Sequence, residues 1–364
     1  MATSTKPVNV LDFECLARER MTAVDFDYVA GGATDEVTLR RTRLAYKAVA
    51  LRPRVLVGIE SVDLSTTVLG TPVALPVMLA PCGNHSMAHP EGELASARAA
   101  GSMGALMIAG SHASYTLEDV AAAATGPLWF QTYFFGDRGL TLSLIRRAEE
   151  AGYKAICLTL DSFWPSKRER NIRNGFQHKG LGANYTNASQ QDHSKVEQGQ
   201  ASGQTARAIV DAKATWKDIQ WLKSETELPL VAKGIMTAED AALCAQHGIE
   251  GLIVSNHGAR NVDNTLATIE VLPEIVEACQ GKLEVFVDGG IRRGADVVKA
   301  LALGAKAVLI GRPIFWGLAA DGEEGLHRIL EILKEEMEIT LALCGRPTIG
   351  SIDASLVTPS PRLS

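Results

Sequence analysis

The sequence of 364 residues has no CxxC pair and no metal-ligand spacing; its 6 cysteines (15, 82, 157, 244, 279 and 344) are scattered along the chain. A disulfide framework is therefore not expected, and no metal site is. The thiols read as reduced and mostly buried, as in an intracellular protein. No apolar run reaches membrane-spanning length, and the opening "MATSTKPVNV" has no signal-peptide core, so no membrane partner is expected. Two N-x-[ST] matches, at Asn184 and Asn187, carry no meaning in that setting. Positive charge is not in excess either: 36 Lys+Arg against 42 Asp+Glu leave a net charge of −6. Nucleic acid is thus not the expected partner, and an anionic ligand needs a local group of arginines. The ending "SPRLS" comes near a peroxisomal tripeptide but runs one residue too far, which leaves a cytoplasmic location as the expectation.

What is present is a hydrophobic share of 46%, enough for a large core, and a phrase that repeats. "EEAGYKAICLTLD" (149–161), "AQHGIEGLIVSN" (245–256) and "LALGAKAVLIGRP" (301–313) follow one plan. An amphipathic helix stops at Gly152, Gly248 or Gly304, and an apolar β-branched run follows and ends in polar or turn residues. The glycine supplies a left-handed helix stop, and the unbroken apolar run is a strand covered on both faces. Eight such runs lie near 73–80, 104–109, 128–133, 155–160, 228–233, 251–255, 283–288 and 306–311. Helical patterns separate them, one with a capping box from Thr237 and Asp240.

Eight strand–helix units predict an α/β protein of the (β/α)8 TIM-barrel type, a single domain over 1–364. No glycine-rich dinucleotide fingerprint follows the first strand, which weighs against an open doubly wound sheet. Residues 1–70 read as a helical N-terminal extension. A lid-like insertion at 165–210 follows the fourth strand, and its polar, aperiodic part at 182–206 reads as a mobile loop on the active-site face.

In a barrel the chemistry sits where strands end. Those ends read "APCGNH" (80–85), "AGSH" (109–112), "FQTY" (130–133), "LTLD" (158–161), "VAKG" (231–234), "VSNHGAR" (254–260), "VDGGIRRG" (287–294) and "LIGRP" (309–313). A lysine, an aspartate, a histidine and several arginines at one rim need a polar ligand, because buried charges need partners. Gly289, Gly290 and Gly311 allow close backbone approach, and Arg292 and Arg312 add charge. Together they predict a phosphate site between the last two strands.

At this point "SNHGAR", "DGGIRRG" and "IGRP" resemble the FMN-dependent 2-hydroxy acid oxidases and dehydrogenases. That family includes glycolate oxidase, lactate oxidase, mandelate dehydrogenase and the flavin domain of flavocytochrome b2. The resemblance runs from about residue 8 to residue 345, through "DFDYVAGGATDEVTL", "AHPEGE", "WFQTY", "LTLDS" and "VAKGI". No heme domain is expected ahead of the barrel.

The resemblance implies FMN as cofactor and oxidation of a small (S)-2-hydroxy acid to the 2-oxo acid. It makes His257 the base that takes a proton, with Asp161 orienting it. Arg260, Arg168 and Tyr28 would bind the substrate carboxylate, and Tyr133 its hydroxyl. Lys233 would lie by the flavin N1–C2 carbonyl, where a cation stabilises the reduced form. Gln131, Thr159 and Ser255 would hydrogen-bond the isoalloxazine or ribityl chain, and Asp288, Gly289, Gly290, Arg292, Gly311 and Arg312 the ribityl and phosphate end. The electrons would pass to O2 or another acceptor, and a homo-oligomer, a tetramer in many members, is implied.

Three positions depart from the family's pattern. Gly83, beside the flavin N5 position, is commonly alanine in oxidases and glycine in lactate monooxygenase and mandelate dehydrogenase; a missing methyl would open space there. His112 replaces the tryptophan of glycolate oxidase or the tyrosine of lactate oxidase along the substrate side chain. Asn261 and Val262 replace the commoner Q-L. A dehydrogenase or monooxygenase thus stands beside the oxidase. An FMN-dependent isomerase on a related barrel, and a catalytically silent flavin-binding protein, are further alternatives.

Overall fold

Eight runs rich in valine, isoleucine, leucine and alanine form one closed parallel barrel in the computed structural model, which describes residues 6–177, 182–185 and 210–360. In chain order the strands are β1 (Val77–Leu79), β2 (Met107–Gly110), β3 (Leu128–Thr132), β4 (Ile156–Thr159), β5 (Leu230–Ile235), β6 (Gly251–Val254), β7 (Glu284–Asp288) and β8 (Ala307–Ile310). The barrel closes where Val308, Leu309 and Ile310 lie opposite Val77, Met78 and Leu79. Alternation along each strand sorts the side chains. Val77, Leu79, Phe130, Leu158, Val254 and Val287 face the surrounding helices. Met78, Ile108, Trp129, Cys157, Ile253 and Phe286 fill the barrel.

All eight expected strands are present, and two begin three or four residues later than expected. Pro76 cannot donate to a ladder, so the run from residue 73 is cut, and Thr71–Val73 turns back to pair with Thr66–Val68. Val68 and Val73 of that hairpin pack against the barrel filling. The second strand starts at Met107 because Gly104 (φ +62°) is still turning out of the preceding helix. Thr237 caps its helix as expected, accepting from the Asp240 amide at 3.2 Å.

The N-terminal extension is helical over Val10–Arg20, Ala23–Ala30 and Val37–Lys47, with no helix from there to residue 70. Val49–Leu51 pairs instead with Val357–Pro359. The second of these helices carries Tyr28 to the mouth of the barrel.

The first part of the insertion is tied down. Arg170 bridges Glu36 (2.5 Å) and Asp27 (3.5 Å), Asn174 donates to Asp27 (2.6 Å), and Phe176 stacks on Tyr28 at 4.1 Å. Asn184 is buried, accepting from the Leu117 amide at 2.8 Å and donating to the Ser111 carbonyl at 3.1 Å. The remainder of the loop expected to be mobile, 186–206, and Asn187 with it lie outside the described residues.

Candidate active site

The alternation that fills the barrel with apolar groups sets polar ones above them. On β3 the inward row runs Trp129, Gln131, Tyr133; on β4 it runs Cys157, Thr159, Asp161; on β5, Val231 and then Lys233. The rows of β6, β7 and β8 continue to Ser255 and His257, to Asp288, and to Gly311. They converge on a cavity of about 610 Å³. Asp161, Thr159 and Ser255 do not line it, and every other residue expected to bind cofactor or substrate does.

Asp161 and His257 meet at the cavity floor, Nδ1 to Oδ1 at 2.9 Å. A carboxylate oxygen accepts only, so Nδ1 carries the hydrogen and Nε2 is left as the basic nitrogen. Burial pulls the His257 pKa below its ordinary 6.5, although Asp161 works to raise it. The ring is therefore neutral at pH 7. The chain turns sharply here: His257, Gly258 and Ala259 all have positive φ, at 57°, 65° and 61°. Strain at two non-glycine positions holds the imidazole over the cavity, not a flexible glycine alone.

Four guanidinium groups border the same cavity, and among the described residues none of Arg168, Arg260, Arg292 and Arg312 is in an ion pair. Arg168 is drawn down to about 10 by burial and by Arg260, and Arg312 to about 9 by burial and by Arg260 and Arg292. Like charges set in a cavity without carboxylate partners form a site for anions. Part of their hydrogen-bonding capacity is used in a way the sequence does not show. Arg260 Nη1 donates to the carbonyls of Tyr28 (2.6 Å) and Gly31 (3.1 Å), and Arg312 donates to those of Val29, Gly31 and Gly258. Both arginines clasp the turn that follows Tyr28. The Arg260 guanidinium also lies over the Tyr28 ring at 4.8 Å.

Lys233 is buried, donates to Ser255 Oγ at 3.0 Å and stands 3.4 Å from Asp288 Oδ2; Ser255 donates to that oxygen at 2.7 Å. Burial acts against the ammonium, but Asp288 and Asp161 more than offset it, so Lys233 titrates above its ordinary value. Gln131 donates to Thr159 Oγ1 at 2.9 Å. Ser255 and Thr159 thus reach the cavity through Lys233 and Gln131.

The residues present fit FMN. Asp288 Oδ1 is buried with no hydrogen-bond partner among the described residues, as an acceptor for a ribityl hydroxyl would be. A β-carbon on Gly311 would touch nothing nearer than Cys82 Sγ at 3.5 Å. The protein leaves that space open toward the cavity, beside Arg312 and the buried Arg292.

On the opposite side Tyr133 is half-buried and pushed by desolvation up to about 12, so it remains a hydroxyl donor. Its ring meets His112 edge-on at 5.4 Å. Behind His112 stands Tyr185, which lies in the polar insertion and carries no motif that could have pointed to it; the rings are 5.3 Å apart. Ser162 and Gly234 also escaped sequence reasoning, and Asn261 had been noted only as a departure without a role. Ser162 Oγ lies 3.2 Å from His257 Nδ1, and Asn261 Nδ2 lies 2.8 Å from Ser162 Oγ. Gly234 (φ +110°) abuts Asp161, where a β-carbon would fall 2.6 Å from the aspartate Cβ. The "VAKG" ending and the departure at Asn261 were the available signals.

A barrel with this rim is that of a flavin enzyme, and the comparisons agree. The family profile described as FMN-dependent dehydrogenase matches residues 17–359, and the chain belongs to this family. It is 46% identical over 351 residues to the peroxisomal (S)-2-hydroxy-acid oxidase of rice (Oryza sativa subsp. japonica), covering 96% of each chain. To the glycolate oxidase of spinach (Spinacia oleracea) it is 43% identical over 349 residues, 95% of this chain and 94% of the other. A crystal structure of mandelate oxidase superposes with a TM-score of 0.89 at 39% identity, covering 99% of this chain and 100% of that one. The peroxisomal name of the rice relative overturns the cytoplasmic expectation. That expectation rested on one residue too many at the C-terminus, which weighs less than similarity along nearly the whole chain.

Proposed function

We propose that this protein is an FMN-dependent oxidase that converts an (S)-2-hydroxy acid to the 2-oxo acid. The observation that carries the reading is His257, paired with Asp161, facing the same cavity as Arg168 and Arg260, neither of which is in an ion pair among the described residues. A base and a carboxylate fork within one enclosure suit a substrate that bears both an acidic group and a hydroxyl. Lys233, Gln131, Asp288, Gly289, Gly290, Arg292, Gly311 and Arg312 would hold FMN, with Thr159 and Ser255 supporting from behind. When bound, FMN supplies the acceptor for the two electrons that leave the substrate, and O2 is the proposed final acceptor.

Arg168 and Arg260 bind the carboxylate, with Tyr28 closing over it. Tyr133 donates to the substrate oxygen, and His112 borders the side chain. His257 Nε2 takes the proton, and Asp161 stabilises the imidazolium that forms. The relatives' names support O2 as acceptor and a peroxisomal site of action. The family resemblance supports a homotetramer, which sedimentation can check.

The test is anaerobic. The flavin-loaded protein is mixed with small, aliphatic and aromatic (S)-2-hydroxy acids, and the flavin absorbance is followed. Bleaching by at least one, and peroxide on admitting air, are expected. Bleaching by none would rule the reading out. Bleaching without oxygen-driven recovery would make it a dehydrogenase.

A further inference from the structure

Where the family more commonly has glutamine, Asn261 begins a hydrogen-bond path that ends on Nδ1 of His257. The Asn261 amide has two hydrogens and two acceptors within reach, the Asp161 carbonyl at 2.7 Å and Ser162 Oγ at 2.8 Å. With a hydrogen arriving at its oxygen, the Ser162 hydroxyl must direct its own elsewhere, and Asp161 Oδ1 lies 3.3 Å away. The remaining lone pair of Ser162 faces His257 Nδ1 at 3.2 Å, alongside the 2.9 Å contact of that nitrogen with Asp161. A hydroxyl free to rotate would leave Asp161 and turn its lone pair away from Nδ1–H.

We propose that Asn261 is a positioning residue for the reaction at His257: its amide fixes Ser162 as a donor to Asp161 and so holds the imidazole in the Nδ1–H form. The inference rests on the functional reading above. Backbone geometry supports it, because the left-handed run His257–Ala259 doubles the chain back and returns Asn261 to the end of β4. Asp161 supports it too. Its Oδ2 is buried with no partner among the described residues, so Oδ1 alone receives both His257 and Ser162.

The charged and titratable groups facing His257 are Asp161 and Arg168 after β4, Lys233 on β5, Tyr133 after β3 and Arg260 on its own loop. None of them changes when Asn261 is truncated. Ser162 then rotates away, the Asp161 carboxylate keeps its charge but loses the donor that stabilised it, and the imidazolium is held more tightly. His257 should therefore titrate at higher pH in the variant.

The test compares wild type, Asn261→Ala, Asn261→Gln and Ser162→Ala as flavin-loaded proteins. kcat/KM is measured against pH, and the His257 imidazole is titrated by NMR, its resonance identified by its loss in His257→Ala. Asn261→Ala should lower kcat/KM roughly tenfold and move both midpoints up by roughly half a pH unit, the scale of one hydrogen bond. Ser162→Ala should move them the same way, and Asn261→Gln should restore them toward wild type. Unmoved midpoints in both truncations overturn the proposal, even if the rate falls. Should Asn261→Ala not fold, Ser162→Ala decides, since it removes one hydroxyl. If wild type bleaches with no 2-hydroxy acid, the functional reading fails, and the NMR midpoints still decide the role of Asn261.

Discussion

A β-carbon placed on Gly83 would lie 2.8 Å from the carbonyl oxygen of His112 and 3.0 Å from its Cβ. The glycine after β1 is thus filled against by the loop after β2, and the methyl it lacks does not leave open space as the sequence suggested. Gly83 and His112 form one unit of the substrate wall.

Gly83→Ala must push His112 away. Overpacking of this kind costs about 1–3 kcal/mol, read as a lower unfolding temperature. Relative kcat/KM among small, aliphatic and aromatic 2-hydroxy acids should change by about tenfold, the scale of one or two altered pocket contacts. An unchanged preference would separate Gly83 from substrate choice.

The base-form fraction of His257 sets the acid limb of kcat/KM. Its pKa is lowered below 6.5 by burial, so the ring is neutral and competent above that point and loses competence as pH falls through it. The limb should have unit slope and a midpoint below 6.5. A midpoint near 7 or higher would mean that Asp161 outweighs burial.

Lys233→Met leaves the Asp288 carboxylate buried beside an apolar chain. Breaking a buried pair by removing one partner costs about 3–5 kcal/mol, and flavin content should fall with stability. Adding Asp288→Asn should recover much of the unfolding temperature without restoring flavin retention. Recovery of neither would mean that Lys233 acts through packing.

Gly234→Ala tests the packing behind the base. Its φ of +110° and the 2.6 Å approach to Asp161 leave no room for a methyl. Asp161 should shift and carry His257 with it. A misplacement of about 1 Å can cost on the order of 100-fold in rate, so kcat should fall far more than KM rises. An equal loss in both would point to general unfolding of the site.

The barrel was readable because apolar strand runs and glycine helix stops are local signals. So was the rim, since each apolar run ends directly in polar residues, as in "LTLD" and "VAKG". Contacts between distant segments were not readable. The donation of Arg312 to Gly31 spans nearly the whole chain, and Tyr185 reaches His112 from a polar insertion without any periodic pattern. Pro76 was visible in the sequence, yet its effect depends on the hairpin that Thr66–Val68 offers. Thr159 and Ser255 were expected at the flavin from the family resemblance alone, and they stand behind Gln131 and Lys233 because the depth of the cavity decides which groups reach it.

The most direct measurement is the anaerobic rate of flavin reduction in His257→Ala, using a 2-hydroxy acid that bleaches the wild type. Loss of a general base costs roughly 100- to 10,000-fold. The expected result is a fall of that size with the flavin still bound at the wild-type level. Reduction within a few-fold of wild type, or loss of the flavin, would contradict the role of His257 as the base.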